Sequence, residues 1–252
     1  MKIVFLGVGE AFDENLPNNS QLIMSGKTNL LLDCGFTVPQ QIWKYSKDKN
    51  LDKDLIDAIY ISHQHGDHFC GLPALLLRLW EEGRKKCLTI ICQKNFKEKF
   101  REFMEFTYFG FIDKFKYKIN LIEAKEGKDI KFNDLNLSFE KTIHSAENLA
   151  IKIKDKENIF CYSGDGAPRE GSGFYKNTDL VILETYLYNT EKFGHSTIIG
   201  AIKFAERNSV KCLALTHINR DFRKNELPNL RDKITSEKIK IIIPELVEEY
   251  NF

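Results

Sequence analysis

Residues 63–68 read His-Gln-His-Gly-Asp-His, which puts four metal-competent side chains within six positions. The run 57–62 ahead of them is strand-like, and 72–82 behind them is an apolar, leucine-rich helical stretch, so the cluster falls at a strand-to-helix junction. In extended backbone His63 and His65 point the same way, because side chains alternate with a period of two. Gly66 then permits a tight turn, so that Asp67 and His68 can face a second position close by. Imidazole and carboxylate donors suit zinc, with manganese or iron as alternatives.

Further donors lie just past the ends of apolar runs. His144 follows the run 135–142, Asp165 follows 159–163, and His217 follows 211–216. Side chains at the ends of separate strands can converge. The set expected from this pattern is His63, His65 and His144 around one ion and Asp67, His68 and His217 around the other, with Asp165 bridging them.

The rest of the chain alternates short β-type runs with helical ones. Strands are expected at 2–6, 20–25, 28–33, 57–62, 88–92, 118–123, 130–132, 135–142, 148–154, 159–163, 179–184, 211–216 and 239–243. Helices are expected at 38–47, 72–82, 96–106, 197–207 and near 228–236. No repeat or Pro/Gly linker divides the 252 residues, so the expected organisation is one domain over 1–252. Strand meanders mixed with βα units argue for two mixed sheets carrying helices on their outer faces.

Lys plus Arg number 37 and Asp plus Glu 36. That balance excludes a strongly basic nucleic-acid binder, though not a local basic patch such as Arg84-Lys85-Lys86, Lys94–Arg101 or Lys114–Lys118. No apolar run approaches the roughly 18–20 residues of a membrane helix, and the first residues do not form a secretory leader. The expectation is a cytoplasmic protein without membrane association. The six cysteines have no CxxC spacing, and most lie in apolar runs as free thiols.

His-x-His-x-Asp-His followed in order by His144, Asp165 and His217 resembles the metallo-β-lactamase superfamily. Phe5–Glu10, Asn19-Ser20 and Leu32-Asp33-Cys34-Gly35 are similar to its early strands and loops. The resemblance runs from residue 3 to about 220. It implies an α/β fold, a four-layer αβ/βα sandwich of two mixed sheets, with a dinuclear metal site at one edge. Leu183-Glu184-Thr185 and Gly194-His195-Ser196-Thr197, followed by Leu215-Thr216-His217, are similar to the ribonuclease Z-like phosphodiesterases. In that branch the residue matching His195 stands beside the metals and assists at the phosphate, and the residue matching Glu184 orients it. Ser196 is the expected cap of helix 197–207. Two departures stand out. The 21 positions from His144 to Asp165 hold only a tight hairpin where ribonuclease Z carries a long tRNA-gripping arm. After His217 comes Ile-Asn-Arg220-Asp-Phe222, where that family tends to have Ser and an Arg-Tyr pair.

The resemblance therefore implies a dinuclear metal-dependent hydrolase with two divalent ions, zinc first. It would be a phosphodiesterase in which a metal-bridging hydroxide attacks phosphorus. Asp67, His195 and Glu184 are its candidate catalytic residues. The substrate would be a small phosphodiester or a single-stranded nucleic acid, and the missing arm argues against tRNA. A lactonase or thioesterase on the same scaffold is the second reading. A non-hydrolytic metal-binding redox or sensor protein is the third. Nine aromatics fall between Phe96 and Tyr117. Phe96, Phe100, Phe103 and Phe106 have core-like helical spacing. Tyr108-Phe109-Gly110-Phe111 does not, and is expected either to lid the cleft or to form a homodimer contact.

Overall fold

The computed structural model describes residues 1–49 and 51–252. Its first half runs β1 (Lys2–Gly7), β2 (Ser20–Ser25), β3 (Thr28–Leu32), α1 (Val38–Asp48), β4 (Ala58–Tyr60), α2 (Gly66–Phe69), α3 (Leu72–Glu81), β5 (Leu88–Cys92), α4 (Lys94–Thr107) and β6 (Ile119–Glu123). The second half runs β7 (Ile130–Phe132), β8 (Leu135–Lys141), β9 (Leu149–Lys154), β10 (Ile159–Tyr162), β11 (Leu180–Glu184), α5 (Ile198–Arg207), β12 (Cys212–Thr216), α6 (Arg220–Asn225), α7 (Leu227–Leu230), β13 (Lys240–Ile242) and β14 (Glu249–Asn251).

Two seven-stranded mixed sheets result, in the orders β14-β1-β2-β3-β4-β5-β6 and β13-β12-β11-β10-β9-β8-β7. Strand alternation sorts their apolar side chains into three layers of core. Ile3 and Phe5 of β1 and Leu30 and Leu32 of β3 face inward, where they meet Leu137, Phe139, Ile151 and Ile182 of the other sheet. Val4, Leu6 and Leu31 face outward against α1 and α3. Val181, Leu183 and Leu213 face outward against α5 and α6. This is the four-layer αβ/βα sandwich. Each large aliphatic or aromatic chain so buried stabilises the fold by about 1.5–3 kcal/mol.

The metal motif follows from this topology. Parallel strands β3, β4 and β5 end at one edge of the first sheet, and parallel strands β10, β11 and β12 end at the facing edge of the second. Residues just past those ends therefore meet across the gap between the sheets.

Several expectations need correction. The helix expected near 228–236 is instead α7 followed by a single 3-10 turn at Arg231–Lys233. The hydroxyl of Ser236 accepts the backbone N–H of Lys238 and of Ile239, a local alternative to helical bonding. Strand β14 was not foreseen; it exists through long-range pairing with β1. Phe96 and Phe100 are buried, but Phe106 is 93% exposed. At 100° per residue Phe106 lies roughly 80° from Phe96, on the side away from the buried Met104. Arg84 does not belong to a basic surface patch. It is fully buried, and its guanidinium donates to the carbonyls of Lys86, Lys53, Ile56 and Cys87.

Phe111 packs edge-on against Trp80 at the C-terminal end of α3. The metal motif adjoins the other end of that ten-residue helix, about 15 Å away at 1.5 Å per residue. Phe103 of α4 packs on Phe69, next to the motif, and Phe106 and Phe109 beyond it project into solvent.

Candidate metal centre

His63 and His65 leave the end of β4, and α2 begins immediately after them at Gly66. Gly35 makes this close approach possible, because a Cβ there would stand 1.9 Å from the Asp67 carbonyl oxygen. His144 comes from the loop between β8 and β9, Asp165 follows β10, and His217 follows β12. All seven expected ligands are brought together, in two groups.

The first group is His63, His65 and His144. His144 Nε2 lies 3.1 Å from His65 Nδ1, and the His63 ring is centred 4.6 Å from that of His65. His63 is buried, while His65 and His144 are half-exposed. The second group is Asp67, His68, Asp165 and His217, all buried. His68 Nε2 stands 3.1 Å from both Asp67 Oδ2 and Asp165 Oδ1, and His217 Nε2 stands 3.0 Å from Asp165 Oδ2. Asp165 thus groups by distance with the second set.

The donor atoms fit divalent cations. His63 Nε2, His68 Nε2, Asp165 Oδ1 and His217 Nε2 are sealed from solvent yet have no hydrogen-bond partner. Buried polar atoms left unpaired cost on the order of 1–3 kcal/mol each, and here they fall within the two donor groups. A cation in each group would satisfy them, and imidazole and carboxylate donors suit zinc, iron or manganese.

The electrostatics of the metal-free chain differ between the sets. Burial lowers the His63 pKa well below the usual imidazole value, and nearby His68 adds to the effect. Burial also opposes charge on His217, but Asp165 and Asp67 outweigh it and hold the imidazole up to about 10. His68 is raised in the same way, against its burial, by Asp165, Asp67 and Asp33. The Asp67 and Asp165 carboxyls are desolvated, yet their histidine neighbours keep both below the ordinary carboxylate range. Protons on His68 and His217 occupy the electrostatic place of a cation.

Beside these sets stands the pair found from the resemblance. His195 Nδ1 is 3.1 Å from Glu184 Oε2, and Glu184 Oε1 accepts the Ser196 N–H at 2.6 Å. Glu184 is fully buried and its pKa is raised by that burial. Glu184, His195 and His217 also lie close enough to form a third candidate ligand group. The Glu184–His195 hydrogen bond is instead the geometry of a carboxylate orienting an imidazole. The cap of α5 is Thr197, whose hydroxyl accepts the Gly200 N–H. Ser196, expected in that role, has its N–H committed to Glu184 and so lies one position too early.

Asp33, named in the sequence only within the resemblance, was not expected to touch the site. It is buried, at φ 58°. Its carboxylate accepts the Ser62 N–H and hydroxyl at 2.7 Å each and the Tyr162 hydroxyl at 2.6 Å, and contacts His68 Nδ1 at 2.7 Å. Such a backbone conformation costs about 1–3 kcal/mol and persists where surrounding bonds over-determine it. The hints in the sequence are an acid directly after the apolar strand Leu30-Leu31-Leu32 and its place in the Leu32-Asp33-Cys34-Gly35 match to the superfamily. His217, at φ 56°, is strained similarly, and its N–H donates to Val8.

The sequence profile of one family, described as Anti-Pycsar protein Apyc1, matches residues 1–235. The chain belongs to that family. A curated member, Anti-Pycsar protein Apyc1 of Paenibacillus sp. (strain J14), is 38% identical over 91 residues, 36% of each chain. Ribonuclease Z of Methanocaldococcus jannaschii is 28% identical over 311 aligned positions, covering 100% of this chain and 97% of the relative. The crystal structure of the metallo-beta-lactamase fold protein YhfI from Bacillus subtilis superimposes with a TM-score of 0.81 at 24% identity, covering 99% and 98% of the two chains. The family sits in the metallo-β-lactamase superfamily on its ribonuclease Z-like side, among metal-dependent hydrolases. No helix among the described residues is long and apolar enough to cross a membrane.

Proposed function

We propose that this chain is a dinuclear metal-dependent phosphodiesterase, working as one domain over residues 1–252 on a small phosphodiester. The observation that carries the reading is the Glu184–His195 pair beside two converging sets of orphaned donors. His63, His65 and His144 would hold one ion and Asp67, His68 and His217 the other, with Asp165 between them. Zinc suits this donor set best, with manganese or iron as alternatives.

When bound, the two cations supply a nucleophile from water at neutral pH and neutralise charge building on the phosphoryl oxygens. The chain's own residues do the rest. Asp67 Oδ2 faces both His68 and His217 and would accept a hydrogen bond from the attacking water, fixing its direction. Glu184 takes the Nδ1 side of His195, so Nε2 is left to contact a phosphoryl oxygen or to give a proton to the leaving oxygen. The half-exposed edges of His65, His144 and His195 mark the side from which substrate enters. A lactone or thioester gives that His195–Glu184 pair no phosphoryl oxygen to meet.

The preference for a small substrate rests on what the chain lacks and how its cations are spent. The interval between His144 and Asp165 is filled by the tight β9–β10 hairpin. Arg84 is buried, Arg101 pairs with Asp113 at 2.7 Å, and Lys94 pairs with Glu98 at 3.7 Å. Binding a polynucleotide backbone needs clustered cations, and two of the three basic runs have part of theirs spent in this way. The exposed Phe106 and Phe109 support a homodimer contact. Sedimentation that finds only monomer at micromolar concentration would remove the dimer.

The test is a substrate panel run with metal analysis on the purified protein. Bis(4-nitrophenyl) phosphate, cyclic nucleotides, single-stranded RNA, precursor tRNA, a lactone and a thioester are compared. Two ions per chain and turnover of small phosphodiesters are expected. Preference for the lactone or thioester overturns the reading. Replacing His195 with Ala is expected to lower turnover about 10²–10⁴-fold with metal content unchanged.

A further inference from the structure

The hydrogen bond from His195 to Glu184 fixes one atom of the imidazole and leaves the plane of the ring free to turn about that bond. A second side chain sets the plane. The Tyr186 ring stacks on His195 with centroids 4.9 Å apart and 27° between planes. Offset stacking at such a separation contributes about 0.5–1.5 kcal/mol beyond area burial. We propose that Tyr186 is a positioning residue for His195: it holds the imidazole plane so that Nε2 faces the metal centre. The inference rests on the role given to His195 above.

Three observations converge on Tyr186. First, it lies two residues beyond Glu184, just past the end of β11, and both side chains meet the same imidazole. One of them meets the edge of His195 at Nδ1, and the other meets its face. Second, the main chain of Tyr186 ties together the two loops that carry the histidines of this corner. Its N–H donates to the Ser196 carbonyl at 2.9 Å, and its carbonyl accepts the Asn219 N–H at 3.0 Å. Ser196 follows His195, and Asn219 is two residues after His217. Third, the ring itself is held. The Lys192 ammonium lies 4.1 Å from its centroid, a cation–π contact. The Lys192 carbonyl accepts the His195 N–H at 3.0 Å, through a turn in which Gly194 adopts φ 78°. Lys192, Tyr186 and His195 therefore form a stacked series ending at the His195 ring, which also lies within 13° of parallel to the ring of His217.

The experiment uses the metal-loaded protein and bis(4-nitrophenyl) phosphate. Tyr186→Leu is expected to lower kcat about tenfold or more, as loss of an orienting partner does, with KM and metal content unchanged. Tyr186→Phe keeps the ring and is expected to restore kcat to within about threefold of the parent, since stacking needs no hydroxyl. In the His195→Ala background Tyr186→Leu is expected to have no further effect, because the two act through one group. An equal loss in both backgrounds, a Phe variant as poor as the Leu one, or loss of metal would each overturn the proposal. A second readout does not depend on turnover. The ring-proton NMR signals of His195, assigned by their absence in His195→Ala, should be displaced by the Tyr186 ring current and move back in Tyr186→Leu. If Tyr186→Leu does not fold, Tyr186→Met takes its place in every arm. Unmoved His195 signals overturn the positioning role. A parent protein inert to phosphodiesters, whose signals nonetheless move, places the failure in the proposed function instead.

Discussion

Asp67, His68, Asp165 and His217 are all buried, whereas of His63, His65 and His144 only His63 is. The buried set includes two carboxylates, and the other set is imidazole alone. The supports differ too. His68 leans on Asp33, which is itself held by Ser62 and Tyr162. His144 has only the Gly194 carbonyl at 3.2 Å behind its Nδ1. One set is a sealed pocket of two carboxylates and two imidazoles, and the other is three imidazoles, two of them half-exposed. The lesson is one of division: the sealed set would hold its cation tightly, and the open set would hold a cation that substrate can reach.

The largest effect that can break this comparison comes from the residue placed between the sets. Asp165→Ala should remove both ions and lower phosphodiester turnover by about 10³-fold or more, because no nucleophile is generated from water without them. His65→Ala should leave the sealed set loaded, with one ion per chain by elemental analysis, and be as inactive. If Asp165→Ala retains two ions, Asp165 does not join the sets. If His65→Ala loses both, the sets are not independent.

A second substitution sharpens the asymmetry through the support rather than the ligand. Asp33→Asn keeps shape but loses the charge facing His68 Nδ1. Outer partners of this kind change metal affinity about 10–100-fold. The loss should fall on the sealed set alone, seen in a chelator titration as convergence of two release steps. Two steps that stay as far apart as in the parent would count against Asp33 as the anchor.

The parts of this centre differed in how legible they were from sequence. His63, His65, Asp67 and His68 are adjacent in the chain, and His144, Asp165 and His217 each end an apolar strand, so local pattern was enough to find them. Glu184 and His195 needed the resemblance, because an acid at a strand end and a lone histidine before a helix carry no pattern of their own. Asp33 and Tyr186 were not legible as partners. Their roles arise from contacts with His68, 35 positions away, and with His195, reached through a turn. The same division runs through the fold. Strands and helices with clear periodicity fell within a residue or two of expectation, whereas β14 depends on β1 at the far end of the chain. Phe106 shows the limit of spacing, since positions three and four apart drift off one face after three turns.

The smallest effect, and the most direct reading of the sealed set without activity, is the pH dependence of the metal-free protein. His217 is raised to about 10 in the fold by Asp165 and Asp67, against its burial, while an unfolded imidazole titrates near 6.5. A group raised in this way contributes stability fully below the unfolded value and loses it as pH rises through the folded one. His68 shifts in the same direction. The metal-free protein should therefore melt at progressively lower temperature between pH 7 and 10, as the protons that stand in for a cation leave the two carboxylates facing each other. The carboxylates act in a separate window. Asp67 and Asp165 are lowered, so their contribution is present above about pH 4 and disappears only in more acidic solution. Loading the metals displaces those protons, so the loaded protein should show a nearly flat melting temperature from pH 7 to 10 and should release protons on metal addition in weakly buffered solution. A metal-free protein whose melting temperature does not fall across that range would mean that His68 and His217 are already neutral, and the electrostatic contrast between the sealed set and the open one would be lost.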